Sequence, residues 1–122
     1  MLFLTAASPK LFSQERLKKT LDDFHYTLAF TYHPMSDDSN FAPIHKKSAQ
    51  LASDAAEVKR VADSLGIKRT SVMKGVNQLA EQCNMLDEAI QKGTTDDVIR
   101  EQLTAIDSKF HELEEMVNGG EE

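Results

Sequence analysis

Residues 24–48 read FHYTLAFTYHPMSDDSNFAPIHKKS and contain the longest interruption in an otherwise helical sequence pattern. The stretch holds three of the four histidines and two of the three prolines of the chain. The residue before a proline is disfavoured in the helical region, so His33 before Pro34 predicts that the first helix ends near Tyr32. The predicted connection then runs from His33 to about Ala42, where the second helix begins.

Apolar side chains on both sides of this stretch recur mainly at spacings of four, three or seven residues, the pattern of helices that bury one face. The four predicted core stripes are Leu17, Leu21, Phe24 and Leu28; Ile44, Leu51, Val58 and Leu65; Val72, Val76, Leu79, Cys83, Leu86 and Ile90; and Ile99, Leu103, Ile106, Phe110, Leu113 and Val117. Gly66 is predicted to end the second helix in the left-handed conformation, and Gly93 is predicted to end the third helix. The sequence therefore predicts an all-α fold, an up-down-up-down antiparallel four-helix bundle.

Length and composition indicate one helical domain. The chain has 122 residues, of which 40% are hydrophobic and 28% charged, enough for a single core. We assign residues 13–118 to the bundle, residues 1–12 to an N-terminal extension or signal remnant, and residues 119–122 to a frayed acidic tail. The net charge of −6 argues against nucleic acid as a partner.

The N-terminal sequence MLFLTAASPK is similar to the end of an export signal, since apolar residues precede small ones. It lacks a basic segment, so an apolar strap on the bundle is the alternative. No stretch of the sequence approaches the roughly 20 apolar residues of a membrane span. We therefore expect a periplasmic or secreted protein, with a cytoplasmic location as the alternative.

The first candidate site is a metal site beside the predicted connection. His33, Met35 and His45 bracket that connection and are expected to meet at one end of the bundle. Their nitrogen and sulfur ligands suit copper, and a harder set that includes Asp37 or Asp38 suits zinc or nickel. The alternative is that both histidines are ordinary turn and helix-start residues.

The second candidate site consists of His25 and His111, which lie next to core phenylalanines on the first and last helices. Asp107 precedes His111 by one helical turn, and a carboxylate there can orient the imidazole ring of a ligating histidine. Half-buried histidines with no ligand are the alternative. If Tyr32 lies opposite Asp96, the two histidines are offset by roughly 12 Å along the bundle, which argues against a shared ligand.

The size, the four-helix pattern and the late histidine in SKFHELEEMV, residues 108–117, resemble cytochrome b562 and its relatives. Those periplasmic bundles hold a haem between the first and last helices, so the resemblance implies His111 as an axial ligand. Their second ligand, a methionine early in helix one, has no counterpart in residues 12–24. A CxxCH motif for covalent haem attachment is also absent from the sequence.

Two further resemblances bear on function. TYHP at residues 31–34 followed by PIH at residues 43–45 is similar to exported bacterial bundles of unknown function that carry a Thr-aromatic-His-Pro turn. Histidine-containing phosphotransfer domains are four-helix bundles of this length. Their histidine is followed by a lysine and a glycine, a pattern that follows neither His25 nor His45 here.

These observations predict a non-enzymatic, exported bundle that binds a metal ion or a haem-like cofactor through histidines, with copper, zinc and haem as candidates. The alternative is a cofactor-free interaction or scaffold module that meets a protein partner or forms a homodimer. A phosphotransfer-like domain is the third interpretation. The single cysteine, Cys83, is expected to be a small core residue.

Overall fold

The computed structural model describes residues 9–119, which form four helices joined by short connections. The helices are α1 (Pro9–Asp38), α2 (Ala42–Leu65), α3 (Thr70–Gln91) and α4 (Asp96–Gly119). Consecutive helices pack against each other, and α1 also packs against α4, which closes the bundle. Residues 9–119 contain no strand. The predicted all-α, antiparallel four-helix bundle is therefore confirmed.

The two ends of the chain fall largely outside the described residues. Residues 1–8, where a signal remnant is predicted, and residues 120–122 of the predicted acidic tail are not among them. α1 begins at Pro9, four residues before the predicted start, because proline fits the first turn of a helix without losing a hydrogen bond. Within residues 9–119, no helix combines the length and apolarity required to cross a bilayer.

The predicted core stripes form the core. Every stripe residue is buried except Leu65, which packs at its margin. Phe24 of α1 and Phe110 of α4 have no solvent exposure, and their ring centroids lie 5.6 Å apart. A large side chain of this kind contributes about 1.5–3 kcal/mol when it is fully buried. The aromatic pair therefore helps to fix how α1 and α4 align.

α1 continues through Pro34 to Asp38, so the prediction that it ends near Tyr32 is wrong. The apolar pattern extends beyond the proline, since Thr31 and Met35 have no solvent exposure. Burial of Met35 offsets the cost of a proline in a helix. That cost is also reduced by position, because Pro34 lies in the last turns of the helix and removes only one backbone hydrogen bond.

The connection from α1 to α2 is three residues long, residues 39–41, and not the ten residues predicted. Ser39 has a positive φ of 53°, and its N–H donates to the carbonyl of Met35 at 3.0 Å. Asn40 Oδ1 accepts a hydrogen bond from the backbone N–H of Ala42 at 3.1 Å. These bonds satisfy backbone groups at the end of α1 and at the start of α2.

Side-chain donors from neighbouring segments bond backbone carbonyls at two helix ends. Arg100 of α4 donates to Ser39 Oγ at 3.1 Å and to the carbonyl of Met35 at 3.4 Å, and its guanidinium lies 5.1 Å from the ring centroid of Phe41. At the opposite end of the bundle, Gln14 donates to the carbonyl of Val117 at 2.8 Å. Arg69, in the α2–α3 connection, likewise donates to the carbonyl of Met116 of α4 at 2.7 Å.

Two glycines end helices as predicted. Gly66 after α2 and Gly93 after α3 have φ values of 65° and 81°. Gly93 N–H donates to the carbonyl of Ile90, and Thr94 N–H donates to the carbonyl of Ala89, both at 3.0 Å. This pair of bonds is the Schellman ending that a left-handed glycine permits.

Replacement of Met35 by alanine tests the length of α1. Because Met35 is fully buried, Met35→Ala is expected to lower the free energy of unfolding by about 2–5 kcal/mol. Met85→Ala is the matched control, since Met85 of α3 is 53% exposed and its loss should cost less than about 1 kcal/mol. Urea unfolding followed by circular dichroism measures both. If both variants lowered the free energy of unfolding by the same small amount, a helix that places Met35 in the core would be contradicted.

Candidate functional site

The structure brings His25 and His111 together, with ring centroids 5.8 Å apart and an interplanar angle of 81°. The predicted offset of roughly 12 Å along the bundle is therefore wrong. The cause is the length of α1. Since the helix ends at Asp38 and not at Tyr32, its alignment with α4 moves by 38 − 32 = 6 residues, which places His25 close to His111.

His25 lies at the border between α1 and α4. Its ring stacks on Phe110, with centroids 4.8 Å apart and an interplanar angle of 29°. Phe110 in turn contacts Phe24, so the imidazole of His25 covers one end of a buried aromatic pair. The side chain is partly buried, and one side of its ring is committed to this packing.

His111 lies between two carboxylates of its own helix. Its Nε2 is 3.4 Å from Asp107 Oδ1, and its Nδ1 is 3.5 Å from Glu114 Oε1. The predicted neighbour Asp107 is therefore in place. Both distances exceed those of strong charge-assisted hydrogen bonds, and the His111 side chain is 50% exposed. The two carboxylates orient the ring weakly and leave it open to solvent.

The structure separates Met35 from His33 and His45. Met35 is fully buried, whereas His33 and His45 are exposed. His33 and Met35 are two residues apart on a continuous helix, so their side chains leave α1 on nearly opposite sides. Within residues 9–119, no group of three or more histidine, cysteine, aspartate or glutamate side chains is arranged to hold a metal ion.

The space between α1 and α4 does not fit a haem. The rings of Phe24 and Phe110 fill it, and both are fully buried. A macrocycle next to His111 would have to displace this pair. The TYHP sequence at residues 31–34, which was expected to form a turn, is a helical segment of α1.

A second helical stripe runs along the outside of α1, and the sequence analysis missed it. Its residues follow one another at spacings of four and three, and all of them are exposed. This outer stripe consists of Phe12, Arg16, Lys19, Asp23, Tyr26, Phe30, His33 and Asp37. Its four–three spacing was visible in the sequence. The stripe was missed because it mixes aromatic, basic and acidic residues and resembles an ordinary solvated face.

Aromatic side chains dominate the middle of the outer stripe. Tyr26 is 81% exposed, and Phe30, one turn later, is 54% exposed. A shallow, open groove adjoins them, lined by Asp22, His25 and Ala29 as well as the two aromatic rings. The partly buried imidazole of His25 therefore links the outer stripe to the border with α4.

Polar contacts fix the pairing of α2 with its neighbours. Thr27 of α1 donates its hydroxyl hydrogen to Asp54 Oδ2 at 2.6 Å. Ser48 of α2, which is almost fully buried, donates to Asp87 Oδ1 of α3 at 2.7 Å.

Burial, and secondarily the negative charge of Asp54, raises the pKa of the Cys83 thiol to about 12. Cys83 is thus a core residue that stays protonated, as expected.

No protein-family model matches this chain, and no curated protein or solved structure matches it either. The resemblances to cytochrome b562 and to exported bundles therefore have support only at the level of four-helix architecture.

The raised pKa of Cys83 makes stability depend on alkaline pH. The pKa of the thiol is 9.0 in the unfolded chain and about 12 in the folded protein. The free energy of unfolding is therefore unaffected by this thiol below pH 9, and it falls as the pH rises from 9 towards 12, because only the unfolded chain loses the proton there. Between pH 8 and 10.5 the free energy of unfolding of the wild type should fall by about 2 kcal/mol more than that of Cys83→Ala. Urea unfolding at the two pH values measures this difference, and equal losses would show that the thiol is accessible.

Proposed function

We propose that the protein is a cofactor-free helical interaction module that binds a partner helix along the outer stripe of α1. The observation that carries the proposal is the exposure of Tyr26 and Phe30 one turn apart on the same face. Contiguous exposed apolar patches on soluble proteins mark interaction sites, whereas single exposed apolar side chains are normal. Tyrosine is also prominent among the residues that dominate binding energy at protein interfaces.

The spacing of the outer stripe favours a helix as the partner. Side chains at alternating intervals of four and three form a straight seam, the arrangement by which one helix packs against another. Charged residues occupy the seam on both sides of the aromatic pair: Arg16, Lys19 and Asp23 before it, and Asp37 after it. Charges flanking an apolar centre select the partner and its register.

A metal ion held by His25 and His111 is the second candidate function. The ring separation of 5.8 Å favours it. Two imidazoles that bind one tetrahedral ion through bonds of about 2.0–2.1 Å have ring centroids about 5 Å apart, which is close to the observed separation. Copper or zinc would take its remaining ligands from water.

Export remains part of the proposal. It rests on the apolar start of the sequence, residues 2–4, followed by small residues. An exported module with an exposed aromatic face would meet its partner outside the cytoplasm.

A photo-crosslinking residue at position 30 tests the interaction proposal. Replacement of Phe30 by benzoylphenylalanine conserves an aromatic side chain, and in the cells that produce the protein it should give covalent adducts. The matched control carries the same residue at Met85, which is equally exposed but lies on α3, and should give none. Adducts at neither position, or equally at both, would contradict a binding surface on α1.

Thermal melting with copper, zinc or nickel tests the metal candidate. An ion at 100 times its Kd stabilises the folded protein by about 2.7 kcal/mol and should raise Tm by several degrees. The double variant His25→Ala/His111→Ala should lose this shift. His33→Ala/His45→Ala, which removes two exposed histidines, is the matched control and should keep it. The reverse pattern would exclude the paired histidines.

A further inference from the structure

We infer that the partner of the outer stripe is a second copy of this chain, bound antiparallel through α1. The inference rests on the proposed function, because it names the partner of the same surface. Its basis is the order of side chains along the stripe, which is complementary to itself when one copy is reversed.

The order of charges disfavours a parallel arrangement in register. In a parallel pair in register, each residue of the stripe meets its own copy. Lys19 would then face a lysine, and Asp23 and Asp37 would each face an aspartate. Like charges in direct opposition disfavour association, and the aromatic centre would have to overcome all of these contacts.

An antiparallel pair joins unlike side chains along the stripe. When residues whose numbers sum to 56 face each other, Tyr26 meets the partner's Phe30, and the two-fold axis repeats this contact. The result is a cluster of four aromatic rings at the centre. Aromatic pairs of this kind add favourable edge or offset contacts to the surface that they bury.

The charged residues complete the same register. Asp23 meets the partner's His33, and Lys19 meets the partner's Asp37, so each half of the contact carries a carboxylate–imidazole pair and an ammonium–carboxylate pair. All four side chains are exposed in a single bundle. Lys19 Nζ lies 3.6 Å from Asp23 Oδ2 of the same helix, and this exposed pair opens or is shared when the contacts form. A reversed copy of α1 therefore satisfies both the apolar and the charged parts of the stripe.

Within residues 9–119, the rest of the bundle leaves this side of α1 open. On one flank, Thr27 bonds Asp54 of α2, and on the other, His25 stacks on Phe110 of α4. The outer stripe lies between these flanks, facing away from the core. Because a single helix from each copy forms the contact, it buries less than the about 1,600 Å² of a standard interface, and a reversible dimer is expected.

Sedimentation equilibrium of the purified chain tests the inference. The wild type should associate reversibly to twice the mass of one chain. Tyr26→Gln/Phe30→Gln should raise the dimer Kd at least about tenfold, because it removes the aromatic centre without touching the core. Met85→Gln, an exposed apolar side chain on α3, is the control and should leave the Kd unchanged. Circular dichroism should show the same helicity in all variants.

Charge reversal tests the register itself. Lys19→Glu or Asp37→Lys alone should raise Kd about tenfold, since each dimer then contains two repulsive pairs. The double variant Lys19→Glu/Asp37→Lys exchanges the charges and should restore Kd to within about threefold of the wild type. No restoration would overturn the register.

A wild-type chain that stays monomeric up to about 1 mM would overturn the dimer, since even a weak specific contact should be populated there. The photo-crosslinking residue at position 30 separates this failure from failure of the proposed function. Adducts with the mass of two chains support the dimer. Adducts of another mass, from a monomeric chain, keep the interaction function and overturn the dimer. The absence of adducts overturns both.

Discussion

The burial of Met35 is the constraint on which the arrangement of α1 depends. Its side chain, together with Thr31, continues the core stripe past Pro34, and the helix follows because withdrawing Met35 from water outweighs the single hydrogen bond that proline removes. Six further helical residues reset the alignment of α1 with α4. They bring His25 to His111, shorten the connection to α2, and extend the outer stripe to Asp37. The burial of Met35 thus underlies the meeting of His25 with His111 and the extension of the outer stripe beyond Phe30.

Most of the fold could be predicted from the sequence, because the core stripes of α2, α3 and α4 are strictly periodic and glycines mark two of the helix ends. The end of α1 could not. A local rule, the bias of the residue before proline, pointed to Tyr32, and a tertiary contact overrode it. Thr31, being polar, also hid the continuation of the stripe, although its hydroxyl donates to the carbonyl of Leu28 and so needs no other partner. The predicted metal site at His33, Met35 and His45 depended on a long connection that does not exist.

The candidate surface was harder to predict than the core for a physical reason. A core residue is recognised by its apolar side chain, but an interaction stripe mixes aromatic, basic and acidic residues and resembles an ordinary solvated face. Only the exposure of Tyr26 and Phe30 in a closed bundle separates the two interpretations. The sequence likewise does not show which histidines lie close together. Their proximity depends on helix alignment, whereas their identity says nothing about which of them meet.

The side-chain donors at the helix ends have a consequence for how the bundle opens. Arg100 holds the last turn of α1, while Gln14 and Arg69 hold the last turn of α4, and each donor comes from a different segment of the chain. Helix ends usually fray first because their final carbonyls lack partners. Here the loosening of one end requires the movement of a neighbouring segment as well. Local fluctuations at these ends are thereby coupled to those of the segment that supplies the donor.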